Sequence, residues 1–174
     1  MIKKATALEP QLVRPYGMRA IRMAPLFHPE TELMHDMSEI VPKLNKTQYD
    51  TIILMPHCRL AGSANVAGQF TKTVAHLSDS ENILVITTDL SAFERPDWFP
   101  ETIDVFDLSE HTAKVPQERK VRILLDVVRG LRPNNIVNIN SNLGWHLTNT
   151  FGKQLSAWMN TVSYTHLRAH ETDS

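Results

Sequence analysis

The chain has 174 residues, of which 18 are Lys or Arg and 19 are Asp or Glu, so its net charge is -1 at pH 7 with neutral histidines. This balance gives no electrostatic reason to expect nucleic acid or an anionic membrane as the main partner. The single cysteine, Cys58, excludes an internal disulfide, and no apolar run reaches the roughly 18 residues of a membrane span. The predicted location is the cytoplasm, either free or peripheral at the inner face of the membrane, since the N-terminus lacks the apolar core of a signal peptide.

The first half of the chain predicts a lead-in, a helix, and then a strand–loop–helix unit. Residues 1 to 29 contain four prolines and little periodicity, with a short strand expected at 20 to 26. Apolar residues at helical spacing from Thr31 predict a helix that ends at Pro42. An uninterrupted apolar run begins at Tyr49 and predicts a buried strand, and helical spacing from Val66 predicts the helix that follows.

The second half continues the alternation of strands and helices. Strands are predicted at residues 81 to 89, 102 to 108 and 135 to 141, and helices from Pro116 to Gly130 and from 143 to 158. Such alternation predicts an α/β fold, a doubly wound, mostly parallel Rossmann-like sheet with helices on both faces. We assign this domain to residues 30 to 161.

The last residues have a different origin. Residues 162 to 172 (VSYTHLRAHET) resemble the in-frame translation of a transposon-type sequencing adapter. Residues 162 to 174 are therefore interpreted as a non-native tail that takes no part in the fold. The natural chain is expected to continue past Thr161, which makes the sequence a fragment of a longer protein. Without the tail, 17 basic and 17 acidic residues remain.

The loops that follow parallel strands are the first place to expect a ligand. Gly62, Ser63, Ala64 and Asn65 open a helix, and their backbone N–H groups form a potential phosphate or carboxylate site. The alternative is that Gly and Ser serve only the turn and the helix cap. The segment is neither a P-loop nor a Gly-x-Gly-x-x-Gly fingerprint. Without that fingerprint, Asp89 at the end of the second strand suits a loop cap better than a nicotinamide ribose site.

Polar residues also follow the fourth predicted strand. Asn138, Asn140, Ser141 and Asn142 need hydrogen-bond partners that an apolar core lacks. A ligand could supply them. Alternatively, Asn138 bonds neighbouring loop backbone, and Ser141 or Asn142 caps the next helix. His57 is the one histidine at the carboxyl end of a strand, and the histidines show no metal-ligand spacing, so no metal site is predicted.

Three segments, taken in order, resemble the N-terminal half of GT-B glycosyltransferases, the retaining enzymes that use nucleotide sugars. They are Ile52 to Leu77, with Leu-Ala-Gly-Ser-Ala-Asn where the family often has a Gly-Gly-Ala loop; the strand ending Val-Ile-Thr-Thr-Asp89; and Ile136-Val-Asn-Ile-Asn-Ser141 leading to Leu143-Gly-Trp. Together they cover residues 49 to 159. Two departures are the Asn140-Ser141 pair, where many relatives have a histidine that contacts the donor sugar, and Ala61 in place of a glycine.

The resemblance implies a domain that holds the acceptor, while a C-terminal domain missing here binds most of the nucleotide-sugar donor. The loop from Gly62 to Asn65 would approach the donor diphosphate, and His57, Asn140, Ser141 and Asn142 would contact the acceptor or the sugar. The acceptor would be a carbohydrate or glycolipid, and no cofactor is implied beyond the nucleotide sugar as substrate. No catalytic residue is assigned. The alternative is a non-catalytic Rossmann-like module that binds a ligand or has a regulatory role.

Overall fold

A computed structural model describes residues 29–60, 62–78 and 82–164. The chain divides into two compact units, residues 1–35 and 36–174. In the first unit only residues 29–35 are described, and they are helical. The predicted lead-in and its strand at 20 to 26 lie outside the described residues. Helix α1 (Pro29–Ile40) is followed by a 3₁₀ turn at Val41–Lys43. Pro42 lies in that turn, so the α-helix ends where the proline was predicted to stop it.

Five strands form one parallel sheet in the order β3-β2-β1-β4-β5. They are β1 (Thr51–Met55), β2 (Ile83–Thr87), β3 (Asp104–Asp107), β4 (Asn135–Ile139) and β5 (Asn160–Tyr164). Every residue of β1 and β2 is buried. The central register pairs Ile53 with Val85 on one side and with Val137 on the other. Apolar runs without polar alternation suit strands that are covered on both faces.

The helices lie on both faces of the sheet. They are α2 (Gly62–Ser78), α3 (Leu108–Thr112), α4 (Gln117–Leu131) and α5 (Asn142–Ser156). Ala64 and Ala67 of α2 pack in one core with Ile53 and Val137. Successive side chains of β4 point to opposite faces, and Asn138 contacts Gly144 of α5. Helix α4 packs against α5. The predicted doubly wound α/β fold is therefore confirmed.

The strand order reverses between β1 and β4. From β1 the chain passes through α2 to β2 on one side, whereas from β4 it passes through α5 to β5 on the other. The carboxyl ends of β1 and β4 therefore flank a topological switch point. Ligands of open α/β sheets bind in the crevice at that point.

Strand β5 was not predicted, and it crosses the boundary of the expected tail. Val162, Ser163 and Tyr164 pair with Val137, Asn138 and Ile139 of β4. The expectation that residues from 162 onward take no part in the fold is wrong for these three. The pairing runs through the backbone, and the uncovered edge of β4 offers N–H and C=O groups to any extended segment that reaches it. The Val162 side chain remains 52% exposed.

The short helix α3 was also missed, because its five residues are too few for a periodic pattern. Among the residues that the structure describes, no helix has both the length and the apolar character needed to cross a membrane.

Candidate ligand site at the switch point

The two predicted site segments flank the switch point. His57 and the start of α2 follow β1, and residues 140 to 142 follow β4, the neighbouring strand. The topology therefore brings all eight predicted site residues to the same edge of the sheet. Their individual environments differ, and these differences decide what each can do.

The N-terminus of α2 is open to a ligand. Gly62 is its first residue and is exposed, and a side chain built on Gly62 would meet no atom within 4 Å. Ala64 is fully buried in the core, so only its backbone could serve a ligand. Ser63 is half-buried and Asn65 exposed, and the first turn contains no acidic residue. First-turn N–H groups lack partners within the helix, and the helix dipole favours an anion there.

At the N-terminus of α5, by contrast, the backbone N–H groups already have hydrogen-bond partners within the protein. The Ser141 hydroxyl accepts a hydrogen bond from Gly144 N–H at 2.8 Å and caps the helix. The Asp89 carboxylate accepts from Asn142 N–H at 3.0 Å and from Leu143 N–H at 3.4 Å. Asp89 reaches this helix from the end of β2, which agrees with its interpretation as a loop cap. An external anion would have to displace Asp89 to bind here.

A chain of hydroxyls supports Asp89. Thr88 Oγ1 lies 2.8 Å from Asp89 Oδ1, 2.7 Å from Ser141 Oγ and 3.1 Å from the Met55 carbonyl. The Thr88 hydroxyl has one proton, and a carboxylate and a carbonyl can only accept. If Ser141 donates to Thr88 and Thr88 donates to Asp89, every hydroxyl proton has a partner. The Met55 carbonyl is then satisfied by Thr88 N–H at 3.0 Å.

Asn138 has structural partners only. Its side chain is 1% exposed; its Oδ1 accepts from Ser141 N–H at 3.0 Å, and its Nδ2 donates to the Ser141 carbonyl at 3.3 Å. The alternative in which Asn138 bonds loop backbone and Ser141 caps α5 thus describes both residues. The buried Ser141 hydroxyl is committed to Gly144 and Thr88 and has no free surface for a ligand.

Asn140, Asn142 and His57 retain accessible side chains. Asn140 has φ 60° and is exposed, as is Asn142. Asparagine is one of the few non-glycine residues that adopt this left-handed conformation readily. His57 is half-buried, and its Nδ1 accepts from Arg59 N–H at 3.3 Å. The neutral ring therefore carries its proton on Nε2, which makes His57 a hydrogen-bond donor.

The loop after β2 is fixed against α2 and the end of β1. Cys58 N–H donates to the Ala92 carbonyl, and Glu94 N–H donates to the Cys58 carbonyl, each at 2.7 Å. Burial raises the pKa of the Cys58 thiol, which favours the unreactive thiol form. A side chain on Gly68 would lie 2.7 Å from the Trp98 carbonyl oxygen. Trp98 therefore anchors this loop on α2, and Gly68 is what permits the close contact.

Asp107, at the carboxyl end of β3, was not recognised in the sequence. It accepts hydrogen bonds from the hydroxyls of Thr87, Ser91 and Ser109, and caps α3 through Glu110 N–H. Burial alone would raise the pKa of Asp107, but these hydrogen bonds outweigh it and hold the pKa below its ordinary value. The Asp-x-x-Glu spacing of Asp107 and Glu110 is a helix-start signature that could have identified it.

No protein-family model, curated protein or solved structure matches the chain. Within residues 29–60, 62–78 and 82–164, no group of three or more His, Cys, Asp or Glu side chains is arranged to hold a metal ion.

Proposed function

We propose that the chain is the acceptor-side domain of a GT-B glycosyltransferase, which transfers a sugar from a nucleotide sugar to a carbohydrate or glycolipid acceptor. The nucleotide sugar is a substrate, and no further cofactor is required. A second domain would bind most of the donor. The enzyme would work in the cytoplasm, free or at the inner face of the membrane.

The observation that carries the proposal is the difference between the two helix N-termini at the switch point. The α2 N-terminus is exposed and free of acidic residues, whereas that of α5 is occupied by Asp89. Backbone N–H groups at a helix N-terminus bind phosphate without further charged residues. A diphosphate would therefore bind at the first turn of α2, next to the end of β1.

Neutral donors at the same edge of the sheet suit a sugar. His57 can donate through Nε2, and Asn140 and Asn142 present exposed amides. The two carboxylates described above are engaged elsewhere, because Asp89 accepts from backbone N–H groups of α5 and Asp107 accepts from the hydroxyls of Thr87, Ser91 and Ser109. This edge therefore offers recognition groups, and we assign no catalytic residue. That is consistent with chemistry that takes place in a cleft between two domains.

Titration with uridine diphosphate or guanosine diphosphate tests the phosphate site. Backbone amide signals of Gly62 to Asn65 should shift first, in the millimolar range expected for half a binding site. Gly62→Val should weaken binding about tenfold, since a loss near 1.4 kcal/mol is that of one hydrogen bond to a charged group. The fold should tolerate this change, because a Cβ atom on Gly62 has open space around it, with no atom within 4 Å.

The matched control is Gly152→Val in α5, which also points into open space and lies outside the first turn of its helix. It should leave nucleotide binding unchanged. Unchanged spectra at millimolar nucleotide, or equal binding by Gly62→Val and the native chain, would remove the phosphate site.

At Asn140, a substitution can separate the role of the side-chain amide from that of the left-handed backbone conformation. Asn140→Gly keeps the left-handed conformation at no steric cost but removes the amide. If the amide contacts the sugar, binding of uridine diphosphate glucose should weaken while the melting temperature stays equal or rises. Equal binding by the native chain and Asn140→Gly would mean that asparagine serves only the backbone conformation.

A non-catalytic ligand-binding or regulatory module is the second candidate. It is favoured by the hydrogen bonds that Asp89, Ser141 and Asn138 make within the protein, because these three side chains do not need a substrate as a partner. Such a module would bind a ligand at α2 but show no sugar transfer in any form of the protein.

A further inference from the structure

An open cavity of about 440 Å³ lies at the amino edge of the sheet, opposite to the switch point. It is lined by Arg129, Arg132, Pro133, Asn134, Trp158 and Met159. These residues belong to the end of α4 and to the two segments that lead into β4 and β5. Its volume lies within the roughly 300–1,000 Å³ of small-molecule sites. None of its residues takes part in the site described above.

The frame of this cavity is held by backbone hydrogen bonds. Asn160 N–H donates to the Asn134 carbonyl and Asn134 N–H to the Asp50 carbonyl, both at 2.9 Å. Met159 N–H donates to the Leu155 carbonyl at 3.0 Å. The two lining segments are thus tied to each other and to the sheet. A ligand would meet a site that is already formed, which lowers the entropic cost of binding.

The cavity presents two guanidinium groups with spare hydrogen-bonding capacity. Arg129 lies 5.3 Å from the ring centre of Trp158, and its ion pair with Asp126 is long, at 3.8 Å, and exposed. Exposed pairs of this kind are weak. Within the described part of the chain, the Arg132 side chain makes no ion pair or hydrogen bond. Guanidinium forks match carboxylate and phosphate groups, and they can bind them bidentately.

Arg132 also occupies a conformation that is unfavourable for its residue type. It ends α4 with φ 48° and ψ 53°, and its N–H bonds to the Val128 carbonyl. Glycine or asparagine is the usual residue at a left-handed helix end. An arginine there costs stability, and no ion pair or hydrogen bond of its side chain within the described residues offsets that cost. Strained residues of this kind concentrate at functional sites.

We propose that this cavity binds a small ligand with a planar ring that carries a carboxylate or phosphate group. Trp158 is 54% exposed and offers an indole surface on which the ring can stack. Arg129 and Arg132 bind the oxyanion, and the exposed Asn134 can bond the edge of the ring. The site does not depend on the glycosyltransferase proposal.

Nuclear magnetic resonance titration of the whole chain tests the site. Adenosine monophosphate is the phosphate-bearing probe and indole-3-acetate the carboxylate-bearing probe; adenosine and inorganic phosphate supply ring and anion separately. At least one combined probe should shift the indole N–H of Trp158 and the amides of Arg132 and Asn134 saturably. The separate ring and anion should bind more weakly. The combined probe that binds shows whether the anion is a phosphate or a carboxylate.

Two variants and a control make the test specific. Arg132→Gly should weaken binding about tenfold, the effect of losing one charge-assisted hydrogen bond, while the melting temperature stays equal or rises. Trp158→Ala should also weaken binding. Lys120→Gln removes a basic residue of α4 that does not line this cavity and should change nothing. The proposal would be overturned if neither combined probe gave a saturable shift at about 10 mM, the dissociation constant that corresponds to a binding free energy near -3 kcal/mol. Shifts that both cavity variants leave intact would also overturn it.

Discussion

At the scale of single residues, Gly144 is where the start of α5 comes closest to β4. A side chain on Gly144 would lie 2.6 Å from Asn138 Oδ1 and 2.7 Å from its Cγ. Asn138 cannot move away cheaply, because both polar atoms of its amide bond Ser141. The cap of α5 and the loop that carries Asn140 are therefore built around this glycine.

Gly144→Ala should destabilise the protein by about 1–3 kcal/mol, the usual cost of overpacking a well-packed position. Gly152→Ala in the same helix should instead be neutral or stabilise by up to about 1 kcal/mol, because its side chain meets no atom within 4 Å and alanine favours a helix. The midpoint of urea unfolding measures both. A Gly144→Ala variant as stable as Gly152→Ala would show that the Asn138 contact is loose.

The carboxylate of Asp107 should make stability depend on pH in a defined direction. Its pKa in the folded protein lies below the ordinary value because hydroxyls of Ser109, Ser91 and Thr87 outweigh the effect of burial. A lowered folded pKa stabilises the protein above the unfolded pKa of about 3.9, and this contribution disappears as pH falls through the folded pKa.

Asp107→Asn should therefore lower the free energy of unfolding by about 1–2 kcal/mol near neutral pH, since it removes charge-assisted hydrogen bonds. The difference from the native chain should shrink below about pH 4. Chemical unfolding at a series of pH values measures it. A difference that is constant down to pH 2 would contradict the role of the charged form.

At the scale of secondary-structure elements, truncation of the chain tests whether β5 stabilises the fold. Val162 to Tyr164 supply three of its five residues and cover part of the β4 edge. A chain that ends at Thr161 should be less stable by about 1–3 kcal/mol than one that ends at Tyr164, because backbone hydrogen bonds contribute about 0.5–1.5 kcal/mol each. Thermal unfolding compares the two. Equal melting temperatures would restore the idea that the fold ends at residue 161.

Helices with a periodic apolar face and strands with a continuous apolar run could be predicted from the sequence. A strand that forms only by pairing with the edge of the sheet could not. The periodic faces of α4 and α5 and the buried runs of β1 and β2 each match a prediction to within a few residues. Strand β5 has no apolar run of its own, since its pairing comes from the backbone of β4. No local pattern signals such a strand.

The candidate site shows the same division. The positions of Gly62 and Asn140 in loops that follow strands can be inferred from the order of elements. The bond between Asp89 and the N-terminus of α5 cannot be inferred in this way, because Asp89 and Asn142 are 53 residues apart and meet only in the folded sheet. The sequence left open whether the polar residues after β4 serve a ligand or the loop. Only the hydrogen bonds of Asn138 and Ser141 distinguish the two alternatives.

At the scale of the whole molecule, the proposed function predicts that this chain alone does not transfer sugar. In the GT-B architecture the reacting groups meet between two domains, and one domain supplies neither the donor's full binding energy nor its orientation. Purified chain should show no turnover with nucleotide sugars, whereas a protein that joins this chain to a donor-binding domain should. Release of nucleotide diphosphate measures both. Turnover by the chain alone would contradict the two-domain mechanism.

Asp89 has a consequence for how a molecule can lie along the switch point. Because the Asp89 carboxylate offsets the positive end of α5, whereas the first turn of α2 contains no acidic residue, the two helix N-termini differ in their attraction for an anion. A ligand with one charged and one neutral end, bound at the switch point as proposed, would gain free energy in only one of its two orientations. Its anionic end would point toward the first turn of α2, and its neutral end toward β4 and Asn140. A charge supplied by the protein would thus set the direction of the ligand before any side chain touches it.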